Sequence, residues 1–121
     1  MNKKNTEYLF NKYKDIFADK DNMSFFECDD GWLSLIDCLC NLIMCHCNNE
    51  KINPPLAIQV KEKLGGLRFY INNCQDTTIY NYIMFAEEMS FHICEICGTT
   101  NNVSTLDKGR ITTLCDKCRT N

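Results

Sequence analysis

Leu56-Ala-Ile-Gln-Val-Lys-Glu-Lys-Leu64, Gly65-Gly66 and Leu67-Arg-Phe-Tyr-Ile71 read as two alternating runs hinged on a glycine pair. Alternation of apolar and polar residues marks strands with one buried face. Glycine takes the positive φ angles of a tight turn without steric cost, so Gly65-Gly66 predicts a β-hairpin. A two-residue loop there pairs Leu64 with Leu67, Glu62 with Phe69 and Val60 with Ile71 on the buried face. Lys63 then meets Arg68, Lys61 meets Tyr70 and Gln59 meets Asn72 on the other face.

Helical periodicity flanks the hairpin. Upstream, Trp32, Leu35, Ile36, Leu39, Leu42 and Ile43 recur at helical spacing and predict a helix over 31–47. Asp29 or Asp30 is its expected N-cap, and Asn48-Asn49 with Asn53-Pro54-Pro55 end it. Downstream, Ile79, Tyr82, Ile83, Ala86 and Met89 predict a helix over 77–91. Further out, Leu9, Phe10, Tyr13, Ile16 and Phe17 predict an amphipathic helix over 5–20, and 23–30 reads as a turn or short helix. The expected fold is α+β, with two to three helices packed on the hairpin in a core of residues 1–92.

Composition narrows the function classes. At 45% hydrophobic and 24% charged residues, the chain of 121 residues has globular rather than disordered composition. Lys and Arg number 13 against 16 Asp and Glu, a net charge of −3, which excludes a wholly basic nucleic-acid grip but leaves room for a local patch. No run is apolar enough to span a membrane, and the first nine residues lack a signal peptide's apolar stretch. A soluble, cytoplasmic protein with no membrane partner is expected.

Ten cysteines are the unusual feature of the composition. Cys94-Glu-Ile-Cys97-Gly98 and Cys115-Asp-Lys-Cys118 are two Cys-x-x-Cys pairs with 17 residues between them, the spacing of a four-thiolate zinc site. A short x-x loop turns both sulfurs of a pair toward one ion, and Gly98 suits the tight turn of the first knuckle. Strands near 103–106 and 110–114, turning at Asp107-Lys108-Gly109, bring the second pair back to the first. Four thiolates leave no open coordination position, which makes the site structural. Two disulfides, free thiols or an iron–sulfur cluster are the alternatives. A treble clef would want a helix after the second pair; only Arg119-Thr120-Asn121 follow Cys118, which favours a zinc ribbon-like module over 93–121. Lys108, Arg110, Lys117 and Arg119 would offset the charge of the thiolates. Cys28, Cys38, Cys40, Cys45, Cys47 and Cys74 read as buried or half-buried thiols, although Cys45-His46-Cys47 could bend round an ion, and His92 could replace one ligand.

On the hairpin's outer face Lys61, Lys63 and Arg68 cluster beside Tyr70, a candidate surface for a partner or an anionic ligand. Glu62 sits on the buried face opposite Phe69, where a carboxylate needs a partner. No nucleophile, base and acid fall at a spacing that would make an enzyme site.

Asp30-Gly-Trp32, Leu35-Ile-Asp-Cys-Leu-Cys40, Gln59-Val-Lys-Glu-Lys-Leu-Gly-Gly-Leu-Arg-Phe-Tyr70, Ala86-Glu-Glu-Met-Ser90 and Cys94-Glu-Ile-Cys-Gly98 with Thr113-Leu-Cys115 together resemble a group of small proteins encoded by bacteriophages and prophages. The resemblance covers roughly residues 30–118. Members often close the metal motif with histidine, where this chain has Cys118. The resemblance implies a non-enzymatic accessory protein that binds and inhibits a host factor, of anti-defence type, in the host cytoplasm. A nucleic-acid-binding zinc ribbon is the alternative; an enzyme and a structural virion component stand behind it.

Overall fold

Strands β1 (Leu56–Lys63) and β2 (Gly66–Asn72) form the antiparallel hairpin at the centre of a computed structural model that describes residues 1–120. The turn is Leu64-Gly65, one residue earlier than the glycine pair suggests. Both residues have positive φ, 52° and 85°. The observed partners are Val60 with Phe69, Glu62 with Leu67, Lys61 with Arg68 and Gln59 with Tyr70. Each pairing has slid by two residues, so the side chains from Gln59 to Lys63 keep their expected faces while their neighbours change, and Leu64, expected on the buried face opposite Leu67, is instead an exposed turn residue.

Two contacts fix this register. The Glu62 carboxylate accepts the Gly65 N–H at 2.7 Å, closing the turn. Gly66 lies against the Phe91 ring, where an added Cβ would come within 2.5 Å of Cζ. Gly66 is therefore a strand residue without room for a side chain, and only Gly65 supplies turn geometry. A bulge at Ile58, between the Ala57 and Gln59 pairings, turns both Ala57 and Val60 inward, and both are fully buried.

Both edges of this two-stranded sheet are occupied. Along β1, Ala57 donates to Ile16 O, Glu27 donates to Val60 O and Glu62 donates to Glu27 O, each at 2.9 Å. Along β2, Leu67 N donates to Ser90 Oγ at 2.9 Å and Phe69 N to Glu87 Oε2 at 3.0 Å. Exposed strand edges invite pairing with other chains; here the N–H groups are taken.

Helix α1 (Lys3–Lys12) is shorter than the expected 5–20. It stops because Tyr13 leaves helical geometry and buries its ring, with its hydroxyl donating to Asp37. Ile16 and Phe17 follow in turns, yet both are fully buried as the apolar stripe requires.

Helix α2 (Leu33–Glu50) is preceded by a 3-10 turn at Asp30–Trp32. Neither Asp29 nor Asp30 caps it, contrary to expectation. The Asp30 carboxylate instead accepts from Asn2 N and Asn5 Nδ2, at 2.8 and 3.0 Å, and ties down α1. The helix outruns Asn48 and ends with Lys51 in the left-handed region. Leu42 is exposed, while Cys40 and Cys47 complete the buried stripe.

Helix α3 (Thr77–Ser90) matches its expected bounds, capped by the Asp76 carboxylate on Ile79 N at 3.1 Å. It packs on α2 and on β2. The chain finishes with β3 (Val103–Asp107), β4 (Ile111–Cys115) and a short helix α4 (Asp116–Thr120). Among the described residues no helix is long and apolar enough to cross a membrane.

Leucine in the left-handed region carries a steric penalty that asparagine largely escapes, and Asn-Gly is the preferred pair for such a turn. Leu64 is 61% exposed, so a smaller residue forfeits little burial there. Leu64→Asn is expected to stabilise the protein by about 0.5–1 kcal/mol, read as a raised melting temperature. A second expectation concerns Asp37. Burial alone would push its carboxyl up, but Tyr13, Tyr8 and Lys12 donate to it and together hold it below its ordinary value. A depressed carboxyl contributes stability above its unfolded pKa and loses it as pH falls through the folded one. Melting curves should show Asp37→Asn less stable than the parent at neutral pH, with the gap closing in acid below the ordinary carboxylate range.

Candidate metal centre

The first knuckle is built by its own backbone. Gly98 N donates to Cys94 O, and Cys94 N to Thr99 O, both at 2.9 Å, with Gly98 at φ 81°. Only glycine takes that angle cheaply, which is why it follows Cys97. Glu95 N donates to Thr113 O at 3.1 Å and fastens the knuckle to β4. Cys115 ends β4, and Cys118 lies in the first turn of α4, its N–H directed at Cys115 Sγ at 3.4 Å.

These elements gather the four expected ligands. The sulfurs of Cys94, Cys97, Cys115 and Cys118 all lie within 4.8 Å of one another, and the Cys97 and Cys115 sulfurs are 3.7 Å apart. A tetrahedron with bonds of about 2.3 Å has edges of about 3.8 Å. The spacing is thus that of four thiolates round one ion, and far too long for a disulfide. All ten cysteines are free. The four sulfurs can hold a metal.

The electrostatics of the cluster also call for a cation. Burial opposes ionisation of Cys94, but the N–H groups of Cys97, Cys115 and Ile96 outweigh it and bring this thiol down to about 6. Burial and the neighbouring thiols push Cys118 up to about 12. Without a cation the first thiolate forms easily and the last resists; a divalent ion removes that resistance.

Helix α4 departs from the expected ribbon. It begins at Asp116, between the cysteines of the second pair, so the three residues after Cys118 understate the length of the closing helix. The order is knuckle, hairpin and short helix. Arg119 holds α4 in place by donating to Ser104 O at 2.6 Å and to Thr112 Oγ1 at 3.2 Å. Arg119 is therefore a structural clamp rather than a surface cation. Arg110 is likewise engaged, 3.2 Å from Glu62, and this ion pair with the Gly65 N–H explains the inward-facing carboxylate.

The module is sewn to the rest of the fold. Gly31 N donates to Glu95 O at 2.7 Å, Trp32 Nε1 to Ile93 O at 3.0 Å and Asp29 N to the Glu95 carboxylate at 3.0 Å. Thr113 Oγ1 donates to Gly65 O at 2.6 Å. A Cβ on Gly31 would stand 2.2 Å from Cys94 O, so no side chain fits there. Sequence reasoning took Asp29-Asp30-Gly31-Trp32 for a helix start and missed this docking. Its one visible signal is a glycine beside the only tryptophan.

Other candidates are placed elsewhere. His92 is exposed and outside the cluster. His46 pairs with Asp76 at 2.9 Å, beside the start of α3, while Cys45 is exposed and Cys47 buried. Burial pushes the Cys28 thiol up to about 12 and raises Cys40 well above its ordinary value, which leaves both as inert core residues.

On the hairpin, Lys61 faces Arg68 across the strands, with Lys63 and Tyr70 exposed nearby. Among the described residues no carboxylate lies within 4 Å of Lys61, Lys63 or Arg68. Glu87, a potential partner of Arg68, is taken up by Phe69 N. The Arg68 guanidinium donates to Leu67 O at 3.0 Å and lines a groove with Met84, Glu87, Glu88 and Phe91, so it leans toward α3 and stands between two surfaces.

No family model, curated protein or solved structure matches the chain.

Native mass spectrometry of the reduced protein should show one divalent ion per chain. Cys97→Ser should lose the ion and expose residues 92–120 to proteolysis. Two disulfides and no metal would overturn the site.

Proposed function

We propose that this chain is a non-enzymatic, zinc-stapled binding protein that engages a partner through the outer face of the β1–β2 hairpin. The observation that carries the reading is the set Lys61, Lys63 and Arg68, three cations on one strand pair with no carboxylate within 4 Å among the described residues. Like charges facing each other weaken a hairpin, so an external anion would relieve them. Tyr70 adds an exposed ring and hydroxyl beside them. The partner is then an acidic surface of a host protein or a small anionic ligand.

Zinc suits four thiolates at tetrahedral spacing, whereas a multi-iron cluster holds its cysteines further apart. A closed thiolate set gives a structural ion in a ribbon-like or treble-clef module. The non-enzymatic reading draws on the core thiols of Cys28 and Cys40, which burial holds protonated. The likeness to phage- and prophage-encoded proteins supplies the setting, the host cytoplasm, and the mode of action, inhibition of a host factor by occupancy. The rival reading, nucleic-acid binding by the metal module, is weakened because Arg110 and Arg119 are engaged within the fold.

Affinity capture from host lysate with the parent protein, Lys61→Ala/Lys63→Ala and Arg68→Ala tests the surface. The variants should lose the captured species with melting temperatures unchanged, and Arg68→Ala should weaken binding by roughly 1–3 kcal/mol. Lower stability with binding intact would retire this face. Salt-dependent binding of random DNA or RNA by the parent would favour the rival.

A further inference from the structure

Strand β3 has an outer edge whose hydrogen-bonding pattern can be read from its two ends. Lys108 N donates to Arg110 O just past the turn, and Asp116 N donates to Asn102 O at the far end, both at 3.2 Å. Along an antiparallel pair, residues that exchange hydrogen bonds alternate with residues that do not. Ser104 with Leu114 and Leu106 with Thr112 therefore bond across the ladder. Val103, Thr105 and Asp107, opposite Cys115, Thr113 and Ile111, turn their N–H and C=O groups away from β4. The Thr113 carbonyl agrees, since it points outward from the pair and accepts from Glu95 N.

Elsewhere the fold covers such groups. β1 is bonded by Ile16 and Glu27, β2 by Ser90 and Glu87, and β4 by Glu95. On β3, among the described residues, no hydrogen bond reaches the main chain of Val103, Thr105 or Asp107. Proteins blunt an open edge with charge, proline or a bulge. This edge has none of them before Asp107. Residues 99–106 contain no Asp, Glu, Lys, Arg or Pro, and the register runs unbroken from Val103 to Asp107. Thr105, Leu106 and Asp107 are exposed.

We propose that the β3 edge is a self-pairing site, at which two copies of this chain join β3 to β3 antiparallel about a two-fold axis through Thr105. A row of outward N–H and C=O groups is complementary to another strand with an open edge. A second copy presents such a strand, and the sequence fits itself. Outward residues must face outward residues to exchange bonds. With Thr105 opposite Thr105, Val103 stands opposite Asp107 at both ends, and all three outward positions bond. That register also keeps the two Asp107 carboxylates apart, at opposite ends of the strand pair and about 14 Å from each other. A register centred on Asp107 would set them together and leave Val103 unpaired. The product is a four-stranded sheet in the order β4–β3–β3–β4. Each β3 then has a neighbour on both sides, so the contact closes and does not propagate. Five residues a side make a small contact, which fits a weak, concentration-dependent dimer.

Sedimentation velocity and amide hydrogen exchange by NMR test this on the metal-loaded protein with reductant present, over a concentration series reaching about 1 mM. The parent should pass from monomer to dimer as concentration rises. The amides of Val103, Thr105 and Asp107 should then slow by about tenfold, while those of Ser104 and Leu106, bonded across the ladder, stay slow throughout. Thr105→Pro removes an N–H that β4 does not use, and should abolish the dimer with the metal still bound. Asp107→Pro removes the outward N–H at the strand end and gives a second reading if the first variant fails to hold metal. Lys61→Ala/Lys63→Ala should dimerise like the parent. A parent that stays monomeric to the top of the series leaves the edge to a foreign strand and overturns the proposal. So does a dimer in which the three amides exchange as freely as in the monomer, or one that survives both prolines. The readout is self-association, so its failure leaves the hairpin reading untouched, and failure of the hairpin reading leaves this one standing.

Discussion

The seat of the metal knuckle on Gly31 is the contact on which the rest of the architecture depends. Backbone meets backbone there, with Gly31 N on Glu95 O and no room for even one carbon on the glycine. The same seat aligns Asp29 N with the Glu95 carboxylate and Trp32 Nε1 with Ile93 O. Trp32 is fully buried, so the residue that anchors α2 in the core also holds the module. A second seam runs from Gly65 O to Thr113 and from Glu62 to Arg110. The hairpin turn and the start of α2 are thus both fixed by the module, and an ion held by the four thiolates would stabilise elements well beyond its ligands.

A second theme is how the acids are used. Glu62, Glu87, Glu95, Asp76 and Asp30 each commit a carboxylate oxygen to a backbone N–H, at Gly65, Phe69, Asp29, Ile79 and Asn2 respectively. These bonds close a turn, a strand edge, a docking seam and two helix starts, and ionised acceptors strengthen them, except at Glu95, whose carboxyl burial pushes up to about 7. The surface is shaped by the same choice. A chain that is net acidic still presents a locally basic hairpin, with Glu62 and Glu87 of the adjoining elements committed to the Gly65 and Phe69 N–H groups.

Local pattern made the α+β class, the hairpin, α3 and the pairs of cysteines legible from the residues alone. Each is written in short-range signals: period two about a glycine, period 3.6 in the Ile79 stripe, and the x-x spacing of the knuckles. The features that escaped were decided by contacts between segments far apart in sequence. The register slid because Gly66 meets Phe91, a residue of no particular promise in its own stretch. The cap at Asp30 failed because Asn2 and Asn5 competed for its carboxylate. Arg110 and Arg119 looked like free surface cations until Glu62 and the β3–β4 backbone claimed them. The helix carrying Cys118 was missed for a simpler reason: counting residues after the last cysteine ignores that the helix can begin before it.

The closed strand edges limit how this fold can meet another molecule. With β1 bonded by Ile16 and Glu27, and the Leu67 and Phe69 N–H groups of β2 taken by Ser90 and Glu87, an incoming strand finds those positions of the hairpin already engaged. Recognition at this hairpin then runs through side chains, and the surface around it offers two sets of different character. One is the cationic hairpin face, suited to a charged partner and weakened by salt. The other is the outer flank of α3, where exposed Met84 and Phe85 stand beside Glu87 and Glu88. Arg68 stands at their border, reaching over β2 toward α3 while its Cα stays opposite Lys61.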